Sequence, residues 1–173
     1  MGNIMFCDEG LGTYLAKYIE ANYKIPNNLE IVDGGLMGFG LMSYYQEFDK
    51  LIIISTNSKE ANAGEIFNYS ADEMLKMGQI RQTANEVEVA MMIEICSVKE
   101  DMADIEFVTM TPKNIEDVKN GLSNTVLENM PKLLEKTLQV LKKEGIELKP
   151  KESIKSFKEI INEVANPVND RVF

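Results

Sequence analysis

The residues able to do chemistry gather near the start of the chain. Asp8 and Glu9 stand directly before Gly10-Leu11-Gly12. The glycines give this loop the look of a phosphate cradle, but the two acids beside them repel phosphate. Glu9 has two readings, a ligand carboxylate or an acid stabilised by the positive end of the helix that follows, the latter worth ~0.3–1 kcal/mol. Asp33-Gly34-Gly35 likewise either shapes a substrate cleft, because glycine admits another backbone at close range, or simply turns the chain at a strand end. No histidine occurs among the 173 residues, so the commonest general base and metal ligand at neutral pH is missing. Any catalysis falls to carboxylates, hydroxyls, amides or thiols. Cys7 and Cys96 lie far apart and in no CxxC pair, which suggests neither a disulfide framework nor a zinc cluster. A thiolate at Cys7 is disfavoured by Asp8 and Glu9 beside it.

These groups must be held by an alternating set of helices and strands. Residues 8–23 place Leu11, Leu15, Tyr18 and Ile19 at helical spacing until Pro26. Residues 29–33 alternate as a short strand closed by Gly34-Gly35, and a second helix is expected over 36–47. Leu51-Ile52-Ile53-Ile54 is apolar throughout and too short for a helix, the pattern of a strand buried on both faces. Residues 64–68 read as another strand, Thr83-Ala84-Asn85-Glu86 as a capping box opening a helix to about Cys96, and 105–110 as a strand ended by Pro112. From Ser123, a stripe of Val126, Met130, Leu133, Leu134, Leu138 and Leu141 predicts a long amphipathic helix ending near Gly145. Ile154, Phe157, Ile160 and Ile161 suggest a short helix in an appended segment, and the pair Met91-Met92 suggests adaptable core packing. The alternation predicts an α/β fold, a mostly parallel twisted sheet with helices on both faces as a three-layer sandwich, its sites at the carboxyl ends of the strands.

Gly2-Asn3, then Asp8-Glu9-Gly10-Leu11-Gly12, then Val32-Asp33-Gly34-Gly35, in this order and spacing, resembles the opening of the hydrogenase maturation proteases. Leu51-Ile52-Ile53-Ile54, Asn62-Ala63-Gly64-Glu65-Ile66 and the stretch from Gly121-Leu122-Ser123 to Gly145-Ile146-Glu147 are also similar to family segments. The resemblance implies a maturation-protease-like α/β domain over 1–150 and a helical extension over 151–173. It implies an endopeptidase that recognises the nickel-loaded large-subunit precursor of a nickel-iron hydrogenase, contacts the substrate's nickel, removes a C-terminal extension and keeps no permanent cofactor. Of the family's metal-contacting residues, an acid corresponds to Glu9, an aspartate would fall at Ser55, and a histidine would fall between Gln82 and Glu86. Serine is a poor ligand for a divalent ion, and imidazole is absent. Glu86 and Glu88, near the third position, and Asp33, at a strand end that could face the same cleft, are carboxylates that could supply an all-oxygen site, which would favour harder ions than nickel. The substrate cleft is expected at Asp33, Gly34, Gly35 and Ser55. The alternative is a non-catalytic relative that binds the precursor or a maturation factor. The family also places a strand immediately before Gly-Asn, where only Met1 stands here, leaving either a start upstream or a sheet built without that strand.

Composition narrows the partners. The net charge of −10 repels nucleic acid and anionic lipid surfaces, so neither is an expected partner. The opening residues do not have a basic stretch followed by an apolar segment, the pattern of a secretion signal, and no apolar run approaches the roughly 20 residues that span a bilayer. A cytoplasmic protein is expected.

Overall fold

The computed structural model describes residues 1–35, 37–76, 83–98 and 102–166. Leu36 and Gln82, on which two of the expectations above fall, lie outside them. A 3-10 turn, Cys7–Gly10, leads into helix α1, Leu11–Asn22, followed by the short strand β1, Tyr23–Lys24. After a second 3-10 turn, Gly38–Leu41, come α2, Met42–Glu47, strand β2, Lys50–Thr56, strand β3, Ile66–Ser70, and α3, Ala71–Lys76. Helix α4, Ala84–Cys96, strand β4, Asp104–Met110, helix α5, Asn124–Lys143, strand β5, Lys149–Pro150, and helix α6, Phe157–Ala165, complete the order.

The main sheet runs β2-β4-β3. β2 and β4 are parallel, in register from Lys50 with Asp104 to Thr56 with Met110. β3 lies antiparallel on the other side of β4, Ile66 opposite Met110. The apolar run in β2 has its physical cause in two covered faces. Ile52 and Ile54 turn toward a core built with Leu11, Leu15 and Ile19 of α1 and Val126, Met130 and Leu133 of α5. Leu51 and Ile53 turn to the opposite core, with Tyr45 of α2 and Val89 and Ile93 of α4. Both faces of the sheet are thus covered by helices, as the sequence pattern anticipates.

Helix α5 starts at Ser123, whose side chain accepts the Val126 N–H, and stops before Gly145, which adopts φ +78°. Its predicted stripe faces the core, with Leu133 fully buried. Leu133→Ala is therefore expected to cost ~2–5 kcal/mol in a denaturant titration, the range for truncating a buried leucine. A loss under about 1 kcal/mol would mean the helix turns another face inward.

Residues 29–33 differ from expectation, since they form no strand. Leu29 and Ile31 pack on the α1/α5 core and Val32 on the other. The alternation thus reports burial, and among the described residues the segment has no ladder partner. Of Met91-Met92 only Met92 is in the core, because consecutive helical residues point about 100° apart. At the C-terminal side, β1 pairs with β5, the carboxamide of Asn22 both donates to and accepts from the Lys155 backbone, and Phe157 of α6 stacks on Tyr18 at 3.8 Å between ring centres. Among the described residues no helix is long and apolar enough to cross a membrane.

Candidate functional site

The site is built where α1 and α4 begin, beside the carboxyl end of β2. Two glycines of the N-terminal motifs are required there by close approach. A Cβ at Gly2, whose φ is +144°, would collide with the Glu9 carbonyl, and one at Gly12 would collide with the Ile54 carbonyl. Their absence lets the Glu9 turn sit tightly on the sheet edge.

Asp8 and Glu9 point to different partners. Asp8 is fully buried, and its carboxylate accepts the backbone N–H groups of Lys113, Asn114 and Ser123 and the Ser123 hydroxyl at 2.6–2.9 Å. It ties the turn to the loop after β4 and to the start of α5. Glu9, 8% exposed, instead turns toward α4, where its Oε1 accepts Asn85 Nδ2 at 2.9 Å. A carboxylate only accepts, so this contact fixes the amide of Asn85 with its nitrogen toward Glu9. Asn85 is 3% exposed, and its Oδ1 has no hydrogen-bond partner among the described residues.

Burial raises the Glu9 carboxyl above its ordinary 4.5; the Asn85 hydrogen bond opposes this and the nearby Glu86 charge adds to it. A carboxyl with a raised pKa in the folded state stabilises the fold most below its unfolded pKa, and that contribution is lost as pH rises through the folded value. Glu9→Gln removes the titration. Relative to the parent, it is expected to be more favourable near pH 7 than near pH 4, read as the difference in Tm between the two proteins across that range. A difference independent of pH would contradict the assignment.

Next to Asn85 lies a cavity of about 300 Å³. Ser55, Ser58, Asn85 and Glu86 stand on its polar side, and Tyr69, Met74, Val89 and Phe107 form apolar wall. Glu86 holds only half of the expected capping box. Thr83 accepts the Glu86 N–H at 3.2 Å, but the Glu86 carboxylate reaches across to the Ser58 N–H at 2.8 Å and to the Ser58 hydroxyl. The strand-end loop is further fixed by Asn57, which donates to Thr109 Oγ1 and accepts from Thr111 Oγ1 and Lys59 N. Lys59 lies over the rings of Phe67 and Tyr69, 4.4 and 4.6 Å from their centres.

The residues expected from sequence are distributed as follows. Ser55 lines the cavity, its hydroxyl donating to the Thr56 carbonyl at 2.9 Å, and Glu9 adjoins the cavity through Asn85. Asp33, Gly34 and Gly35 are not among the cavity's lining residues. Asp33 accepts from Thr13 Oγ1 at 2.9 Å, and Gly34 packs against the Met1 side chain, so this turn backs the site through α1 and Met1. Glu88 turns toward Gly38 and away from Glu9's partners. Among the described residues no three His, Cys, Asp or Glu side chains group as a metal cluster. Asn85 is marked in the sequence only by its position, inside the window where the resemblance places a ligand and next to the helix cap, whereas the carboxylates near it carry the more obvious ligand chemistry.

The sequence profile of the hydrogenase maturation proteases matches residues 13–140, and the chain belongs to that family. It is 26% identical over 156 residues to the Hydrogenase 2 maturation protease of Escherichia coli (strain K12), covering 89% of this chain and 94% of that one. It is 25% identical over 153 residues to the hydrogenase expression/formation protein HupD of Bradyrhizobium diazoefficiens, with 84% and 77% covered. The structure of the hydrogenase maturating endopeptidase HybD from E. coli superposes with a TM-score of 0.80 at 26% identity, over 87% of this chain and 93% of the other. A [NiFe] hydrogenase maturation protease HybD from Thermococcus kodakarensis shares the fold, with a TM-score of 0.65 at 20% identity, over 80% and 93%.

Proposed function

We propose that this protein is a cytoplasmic endopeptidase that removes a C-terminal extension from the nickel-loaded large-subunit precursor of a nickel-iron hydrogenase. The observation that carries the reading is the buried Glu9 carboxylate, held by Asn85 beside a cavity at the carboxyl end of β2. In this proposal the nickel belongs to the substrate. Glu9 contacts it with a carboxylate oxygen, Asn85 offers its amide oxygen, which has no partner among the described residues, where the family has an imidazole, and Ser55 offers a hydroxyl where the family has a carboxylate. Three oxygen donors grip nickel less selectively than a set containing nitrogen, so recognition depends more on the polypeptide that carries the metal. The cavity next to Asn85 supplies room for a segment of that polypeptide, with its polar side toward the backbone and its apolar wall toward a side chain. Asp33 and Gly34, in the turn completed by Gly35, hold α1 and Met1 in place behind the contact.

Mass spectrometry of a purified nickel-loaded precursor after incubation with the purified protein tests the reading. A discrete product shortened at its C-terminus is expected. A precursor that binds and keeps its full mass would instead identify a non-catalytic relative, and a precursor that does neither would overturn the proposal.

A further inference from the structure

Helix α4 is apolar beyond the face it buries. Val89, Ala90, Met92, Ile93 and Cys96 fill the core. Val87, Met91 and Ile95 follow at four-residue steps, a second stripe on the outside of the helix, each 40–43% exposed. A surface helix ordinarily carries polar residues there. The turn Gly38–Leu41 lies against the same helix, with Gly38 on the Glu88 carboxylate, and carries Phe39, 56% exposed, as the next residue. The charged residues of α4 are Glu86, Glu88 and Glu94, with no lysine or arginine in the helix. Glu88 Oε2 has no hydrogen-bond partner among the described residues.

The stripe is also continuous with the site. It begins at Val87, the residue after Asn85 and Glu86 at the cavity. A protein with one segment in the cavity has its body within reach of α4. A second copy of this chain is a poor occupant, because a two-fold contact sets the same acidic edge against itself in a chain of net charge −10. Charge complementarity asks for the opposite sign.

We propose that Val87, Met91 and Ile95, with Phe39 beside them, form the docking surface for the folded body of the protein substrate, which presents an apolar patch edged by lysine or arginine. This rests on the peptidase reading above and assigns the stripe to affinity, separate from bond cleavage. The test compares the parent protein with Met91→Lys and Met91→Leu, after confirming equal thermal unfolding, as expected for an exposed position. Surface plasmon resonance against purified nickel-loaded precursor should show Met91→Lys weakened at least about tenfold and Met91→Leu near the parent, the size of effect seen at an interface anchor. In processing assays Met91→Lys should raise KM and leave kcat unchanged. Equal affinity of Met91→Lys and parent, with the parent still cleaving, would remove the docking surface and leave the peptidase reading standing. A parent that neither binds nor cleaves the precursor would remove both. A parent dimer in sedimentation that Met91→Lys dissociates would give the stripe to self-association and overturn the proposal.

Discussion

Asp8→Ala is expected to destabilise the protein by ~3–5 kcal/mol, because the buried carboxylate is the acceptor for three part-buried backbone N–H groups and a hydroxyl, and all four lose it together. Against a total stability of about 5–15 kcal/mol for an ordinary domain, that loss removes a large share. Asparagine offers little rescue. Its amide nitrogen would meet the Ser123 N–H on one side, or the Lys113 and Asn114 N–H groups on the other, donor against donor. Urea titration followed by circular dichroism should therefore place both variants far below the parent midpoint. A shift in either equivalent to less than about 1 kcal/mol would show that the four contacts are made to a site water can serve equally well. The consequence reaches function, because Asp8 fixes the turn from which Glu9 projects.

The second large effect concerns metal. The parent protein is expected to bind free nickel weakly and with little preference over magnesium, since carboxylate, amide and hydroxyl oxygens suit hard ions and no imidazole is present. Asn85 Nδ2 lies 2.9 Å from Glu9, so an imidazole at position 85 would face the same carboxylate. Ser55 lines the same cavity as Asn85. Ser55→Asp with Asn85→His should therefore tighten nickel binding at least about a hundredfold and leave magnesium little changed, the difference following from ligand softness. Calorimetric titration with both ions checks it. Tight, nickel-selective binding by the parent, abolished by Glu9→Gln, would contradict the oxygen-donor account. Failure of the double variant to gain nickel affinity would show that positions 55 and 85 do not face one ion.

The contrast between Asp8 and Glu9 marks the limit of what the sequence discloses. Both read as acids at the positive end of a helix, and nothing local distinguishes the one that bonds Ser123 from the one that bonds Asn85, partners 115 and 76 residues away. Such pairings leave no period in the chain. By contrast, the Leu51-Ile52-Ile53-Ile54 run and the α5 stripe were legible because burial on two faces, or on one side of a helix, writes itself into spacing. Thr83 was legible as a cap for the same local reason, while the Glu86 side chain, expected to complete that cap, is drawn to Ser58 by tertiary structure. Residues 29–33 show the opposite error, a period of two produced by packing between two cores without a strand ladder. The N-terminal glycines were visible as a motif, but the carbonyl contacts that require them appear only in three dimensions.

The proposed role of Glu9 is tested most directly by processing of the precursor with and without its nickel. The parent protein should shorten the nickel-loaded form and leave the nickel-free form intact. Glu9→Gln keeps the shape of the side chain and removes the charge, and should shorten neither while unfolding normally. Cleavage of the nickel-loaded precursor by Glu9→Gln at the parent rate would contradict the account, since the contact it places at this carboxylate would then lie elsewhere.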